Sequence, residues 1–63
     1  MLKNTVRQYR KAAGLTLEQL AERSGLPVST ISDIEHGAEP RVLTALLLAR
    51  ALGVTVELLW PIR

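Results

Sequence analysis

The sequence contains no cysteine and only one histidine, which excludes several kinds of site. Without thiols the chain has neither a disulfide nor a thiolate-bound metal. His36 alone cannot assemble a metal centre, so we expect neither a metal nor any other cofactor. A chain of 63 residues is also too short to bury a large core. Its stability must therefore come from dense apolar packing or from oligomerisation.

Aromatic residues and long hydrophobic runs are also scarce. Tyr9 and Trp60 are the only aromatic residues, so we expect an aliphatic core. No apolar run approaches the ~20 residues of a membrane span, and the N-terminal residues do not resemble a signal peptide. These features favour a cytoplasmic protein. The net charge of +2 permits nucleic-acid binding without requiring it.

The side chains needed for catalysis are missing as well. Hydroxyl groups are plentiful, but a single histidine and no cysteine are available to activate or replace them. Glu18 and Glu22 have the spacing of neighbours on an exposed helical face. No glycine-rich phosphate loop is present. We therefore expect that the protein is not an enzyme.

Turn signals divide the chain into five short helical segments. The first apolar set recurs at alternating steps of four and three, which predicts one helical face: Leu2, Val6, Tyr9 and Ala13. Gly14 then ends this segment. β-Branched residues never alternate with polar ones over the length of a strand. The predicted fold class is all-α, a compact five-helix bundle forming a single domain over residues 1–63.

Capping residues predict where the later helices begin. Thr16 can accept a hydrogen bond from the first turn of a second helix while Gln19 bonds back. Pro27 suits the start of a third helix, where its missing N–H is no loss. A fourth helix is predicted over Val42–Leu52, and Thr55 is expected to cap a last short one.

The spacing of small and apolar residues predicts a helix-turn-helix at about residues 17–36. Two helices that cross over a short turn need a small side chain on the first helix, and Ala21 supplies it. Gly25 provides a turn residue tolerant of positive φ. Ile31 and Ile34, one turn apart, anchor the second helix and leave its other face polar.

The chain resembles the phage-repressor and Cro class of bacterial and phage regulators in two segments, LTLEQLAERSGLPVSTISDIEHG and LARALGVTVELLWP. Together with the preceding residues, the resemblance covers essentially the whole chain. It implies a lambda-repressor-like DNA-binding domain that acts as a sequence-specific transcriptional regulator on duplex DNA. In this family the second helix of the motif lies in the major groove.

The resemblance also implies roles for individual positions. The positions matching base contacts are Val28, Ser29, Ser32 and Asp33. The positions matching phosphate contacts are Thr16, Leu17, His36 and Arg41, the first two because helix N-termini favour anions. Arg10 and Glu35 match a structural ion pair between the first helix and the end of the third.

The sequence departs from the family pattern on the surface that would face DNA. Leu17 and Pro27 stand where polar side chains are usual. The third helix presents no Arg, Lys, Gln or Asn, the side chains that commonly read bases. Between residues 16 and 37 four acidic residues face one arginine, a local net charge of −3. We therefore expect modest affinity for DNA.

Several of these positions have a simpler alternative role. Ser29 and Ser32 could form an ordinary solvated face, and Arg41 could be an exposed loop arginine. For His36, a bond to the carbonyl groups at the end of its own helix is an alternative to a phosphate contact. Arg7 is expected on a solvated face.

The fourth helix predicts self-association. If its inward stripe includes Ala45 and Leu48, several large apolar residues lie away from the core. These candidates for a dimer or partner interface are Leu43, Leu46, Leu47, Leu58 and Trp60. Our first hypothesis is a homodimer that binds a palindromic operator. The alternative function is a protein-interaction module or an antitoxin that reads DNA weakly or not at all. The alternative for the apolar patch is that it docks another protein or an effector domain.

Overall fold

Five α-helices make up the computed structural model, which describes residues 3–61. The predicted all-α fold is confirmed, and this part of the chain contains no strand. The helices are α1 (Val6–Ala12), α2 (Leu17–Ser24), α3 (Val28–Glu35), α4 (Val42–Leu52) and α5 (Val56–Leu59). Across residues 3–61 no helix is long and apolar enough to cross a membrane.

Each helix contributes one fully buried aliphatic side chain to a common core. These are Val6, Leu20, Ile31, Leu48 and Leu59, each with a relative exposure of 0%. Burial of an aliphatic side chain of this kind stabilises a fold by about 1.5–3 kcal/mol. The predicted aliphatic core is confirmed, and Tyr9 and Trp60 are half-buried against its edge.

Local hydrogen bonds fix both ends of α2. The hydroxyl oxygen of Thr16 accepts from the Gln19 amide at 3.1 Å, and the Gln19 side-chain oxygen accepts from the Thr16 amide at 2.9 Å. This reciprocal pair confirms the predicted cap. At the other end Gly25 has a φ of 75°, where a side chain would be strained, and its amide donates to the Ala21 carbonyl.

The first helix begins later than its apolar spacing predicts. α1 starts at Val6, whose amide donates to the side-chain oxygen of Asn4 at 3.1 Å. The Asn4 side-chain amide in turn donates to the Ile34 carbonyl at 2.8 Å, which joins the start of α1 to α3. The predicted inward position of Ala13 is wrong, because this residue ends the helix and is exposed. Leu2 lies outside the described residues.

The segment before α1 is hydrogen-bonded to α5. The Thr5 amide donates to the Leu59 carbonyl at 2.9 Å, and the Thr5 hydroxyl donates to the Leu58 carbonyl at 2.6 Å. As predicted, the hydroxyl oxygen of Thr55 caps α5 by accepting from the Leu58 amide at 3.3 Å. These bonds hold a helix of only four residues against the rest of the molecule.

The buried side of α4 agrees with the prediction. Ala45, Leu48 and Ala49 are buried, and Leu52 is half-buried against the core. The opposite side of α4 therefore faces outward, with the large aliphatic residues that it carries.

Candidate nucleic-acid interface

α2 and α3 are joined through residues 25–27 into the predicted helix-turn-helix. Ala21 is half-buried and packs against the core, as a close helix crossing requires. Ile31 and Ile34, with relative exposures of 0% and 3%, anchor α3. Pro27 has an extended backbone and directly precedes the first residue of α3. The motif thus holds α3 on the core by one side only.

The other side of α3 carries the residues expected to read bases. Ser29 and Asp33 are exposed, and Val28 and Ser32 are half-buried. At 3.6 residues per turn these four positions lie within an arc of about 140°. The structure therefore brings them to one continuous outer face of the helix.

The N-terminus of α2 has fewer free amides than the sequence suggested. The Thr16 amide already donates to the Gln19 side chain, so this amide is not a free donor. The first four N–H groups of a helix lack an intrahelical acceptor, which leaves the amides of Leu17 and Glu18. An anion at this end would meet those two amides and the hydroxyl proton of Thr16, which is exposed.

A buried ion pair connects α1 to the end of α3. Arg10 Nε donates to Glu35 Oε2 at 2.7 Å and Arg10 Nη2 donates to Oε1 at 3.3 Å, while Nη1 donates to the Leu15 carbonyl at 2.8 Å. The two side chains have relative exposures of 10% and 5%. The hydrogen bond to Glu35 raises the pKa of the Arg10 guanidinium, against the opposing effect of burial, and the charges of Glu35 and Glu18 act with the bond. The structure thus joins the two residues that the resemblance pairs.

Beside this pair lies a cleft between α1, the start of α2 and the end of α3. The cleft has a volume of about 220 Å³ and is lined by Arg7, Arg10, Leu17, Ser32, Glu35 and His36. His36 Nδ1 lies 2.7 Å from the Ser32 carbonyl oxygen, so the ring bonds to its own helix end. Two expected phosphate contacts, Leu17 and His36, therefore share one cleft.

Arg41 lies in a different cleft, on the other flank of α3. It is exposed, directly precedes α4, and lines a space of about 400 Å³ together with Asp33, Thr30 and Thr44. Within residues 3–61 the Arg10–Glu35 pair is the only salt bridge, so Arg41 and Asp33 are neighbours without direct pairing. The two clefts, which hold three of the residues expected to contact phosphate, thus flank the outer face of α3.

Arg7 is the residue of this region that sequence reasoning missed. It was expected on a solvated face, yet it lines the cleft with Leu17 and His36. Its position three residues before Arg10 could have indicated this, since such residues are neighbours on a helix. Among the described residues no group of His, Asp and Glu is arranged to hold a metal ion.

Residues 6–59 match the family model described as Helix-turn-helix. A relative from Methanothermobacter thermautotrophicus, named an uncharacterized HTH-type transcriptional regulator, is 43% identical over 53 residues. That match covers 82% of this chain and 77% of the relative.

Solved structures of SinR are also similar. The N-terminal DNA-binding domain of SinR from Bacillus subtilis has a TM-score of 0.84 at 31% identity and covers 100% of this chain and 94% of that one. SinR in complex with DNA has a TM-score of 0.78 at 33% identity, with 82% and 86% coverage. SinR in its complex with SinI has a TM-score of 0.77 at 33% identity and covers 82% of this chain. This chain spans only 52% of that SinR chain.

Proposed function

This chain belongs to the helix-turn-helix family of the Cro and phage-repressor type, and we propose that it regulates transcription by reading specific duplex DNA sequences. The observation that carries the proposal is the placement of α3. Its apolar side is anchored by Ile31 and Ile34, and its opposite side is polar and accessible. A helix presented in this way is the one that enters the major groove in such motifs. The structure of SinR in complex with DNA supports the same use of the fold.

The chemistry of the outer face suggests how α3 would read bases. Val28 would contact a thymine methyl group, Ser29 and Ser32 would bond to several bases, and Asp33 would accept from cytosine N4. Phosphates on either side would meet the two flanking clefts, one at Leu17 and His36 and the other at Arg41. The Thr16 hydroxyl, at the start of α2, would be a further donor. The acidic balance of residues 16–37 supports modest affinity, because phosphate attraction supplies much of DNA binding.

We propose no catalytic activity and a cytoplasmic location for this regulator. The relative described above is named a transcriptional regulator, and the described residues contain one histidine and no cysteine. A protein that regulates genes works where the DNA is held, and the similar proteins from Methanothermobacter and Bacillus come from cells without a nucleus, which supports the cytoplasm.

We further propose that two copies pair through α4 and α5. Four large aliphatic side chains are exposed there: Val42 (79%), Leu43 (66%), Leu46 (53%) and Leu58 (47%). We call these four residues the α4–α5 surface. Two of them, Val42 and Leu46, also line a groove of about 490 Å³ together with Val56 and Trp60. Val42 and Leu46 border this groove together, and contiguous exposed apolar areas are uncommon on monomers, which supports a protein partner there.

The α4–α5 surface differs from the interface expected from sequence in three residues. Leu47 is half-buried and lines a separate cleft beside the end of α2, with Arg23 and Gly25. Trp60 is half-buried against the core and forms only a wall of the groove. Val42, the most exposed of the large apolar residues, joins the candidate interface instead. A two-fold contact here would suit a palindromic operator whose half-sites lie about 34 Å apart.

A second candidate function is a protein-interaction module, with an antitoxin as one form. The net charge of −3 over residues 16–37 favours it, because such a surface attracts DNA weakly. The SinR–SinI complex shows that a protein of this fold has a protein partner, and this chain matches about half of that SinR chain. A partner protein or an effector domain would then occupy the α4–α5 surface.

Selection of bound sequences from a random duplex pool tests the proposed function. We expect an enriched palindrome, with binding that weakens as salt rises by about 0.9 in log–log slope for each neutralised phosphate. Ser29→Ala should change base preference at one position of each half-site. Thr55→Ala, a cap replacement far along the chain from α3, serves as the control and should leave that preference unchanged. A pool without enrichment would support the protein-interaction module.

A further inference from the structure

The hydrogen bond of His36 determines which of its ring nitrogens carries a proton. Nδ1 lies 2.7 Å from the carbonyl oxygen of Ser32. A carbonyl oxygen only accepts hydrogen bonds, so Nδ1 must carry hydrogen. In the neutral ring Nε2 then has a lone pair and no hydrogen. Only the imidazolium ion has a second N–H group, at Nε2.

The cleft around His36 contains charges of both signs. Arg7 and Arg10 face it from α1, and Glu35 faces it from α3. Arg10 and Glu35 are bonded to each other, so their charges largely cancel at the ring. Arg7 leaves one positive charge beside the ring, and Asp33, three residues earlier on α3, lines the cleft on the other flank. From α2 the cleft receives only Leu17. The ring also lies at the C-terminus of α3, where the helix dipole favours a cation.

We propose that His36 makes DNA binding proton-linked, by contacting a backbone phosphate only in its imidazolium form. The inference rests on the proposed function, since it concerns the same DNA-facing surface. A neutral ring would direct the Nε2 lone pair at a phosphate oxygen, which is repulsive. An imidazolium would donate a charge-assisted hydrogen bond to it. Affinity should therefore rise as pH falls through the range in which histidine gains its proton, and fall as pH rises.

The composition makes this link easy to isolate. Histidine is the side chain whose ordinary titration lies between pH 5 and 8, and this chain contains only one. DNA phosphates keep their charge throughout that range. A change in affinity there that depends on position 36 reports on this ring.

The experiment compares affinities at pH 5.5 and pH 8.0 for a duplex selected from a random pool at pH 6. At constant ionic strength, we expect wild-type binding to weaken on the order of tenfold per bound protomer at the higher pH. The log–log salt slope should also fall by about 0.9 per protomer, because one phosphate contact is lost.

Two substitutions separate the roles of the two ring nitrogens. His36→Gln places an uncharged N–H group near the position of Nε2, so its binding should be equally strong at both pH values. His36→Asn places an N–H group near Nδ1 and keeps the bond to Ser32, so its binding should be weak at both. Circular dichroism at each pH checks that both variants are folded.

The outcomes distinguish failure of the proton link from failure of the proposed function. Wild-type binding that is strong at both pH values would overturn the proton link and leave the proposed function intact. A pH response retained in His36→Gln would also overturn the link, because the proton would then belong to another group. No enriched duplex at pH 6 would overturn the proposed function and the link with it.

Discussion

α3 and α4 are anchored in the same way and differ in what they present to the outside. Each buries apolar residues on one side, Ile31 and Ile34 in α3 and Ala45 and Leu48 in α4. The outer side of α3 carries hydroxyls and a carboxylate. The outer side of α4 carries large aliphatic residues. The buried stripe thus reveals only that each helix packs, whereas the outward residues support the two proposals, a polar partner for α3 and an apolar one for α4.

The two helices are also held differently. α3 is fixed at its end by the directional bonds between Arg10 and Glu35, and α4 is held mainly by aliphatic packing. Hydrogen bonds constrain angles more tightly than nonpolar contacts do. The proposed insertion of α3 into a DNA groove would need a fixed angle, and the bonds of the buried ion pair would supply it.

The largest expected effect comes from breaking that ion pair. Glu35→Gln leaves the Arg10 guanidinium buried without a counter-charge, so we expect a loss of about 3–5 kcal/mol in the free energy of unfolding. Chemical denaturation of wild type and variant measures it. Glu57→Gln, at an exposed carboxylate on α5, should change stability by less than about 0.5 kcal/mol.

A double substitution tests whether the pair orients α3 as well as stabilising the fold. Arg10→Met with Glu35→Leu removes both charges and should recover most of the lost stability. Its DNA affinity should nevertheless stay below that of wild type if the bonds set the angle of α3. Equal stability of Glu35→Gln and wild type would contradict the pair's importance.

The next effect concerns the apolar side of α4. Leu46→Glu places a charge in the α4–α5 surface, and we expect it to weaken self-association by at least about tenfold. Leu47→Glu, one residue along but in the cleft beside α2, should leave self-association nearly unchanged. Sedimentation at micromolar concentration distinguishes the two. A wild-type monomer would remove the homodimer and favour another occupant of this surface.

The smallest expected effect concerns a single phosphate contact, at Arg41 beside α3. Arg41→Ala should weaken binding to all duplexes similarly and lower the log–log salt slope by about 0.9 per protomer, because one phosphate contact is lost. Arg50→Ala is the matched control, since Arg50 is also exposed but lies near the C-terminus of α4. Identical slopes for the two variants would contradict the placement of a phosphate at Arg41.

The helix ends were predictable where the hydrogen-bonding partners lie close together in the sequence. The bonds between Thr16 and Gln19, and the turn at Gly25, depend on residues at most four apart. The bond between Val6 and Asn4 at the start of α1 is equally local, but the bond from Asn4 to Ile34, thirty residues away, was not predictable. The exposure of Val42 and the partial burial of Leu47 likewise depend on how neighbouring helices pack, which a helical period does not specify.

The hydrogen bonds of Thr5 have a consequence for the order of folding. They join residues up to 54 positions apart, whereas α2 and α3 meet across a short turn. Distant contacts form only after a large loop is closed, which is slower and entropically less favourable than local pairing. We therefore expect α2 and α3 to associate first and the bonds of Thr5 to α5 to form last. In the native protein the same bonds should open first, so the Thr5 amide should exchange its hydrogen with water sooner than the amides in the middle of α3.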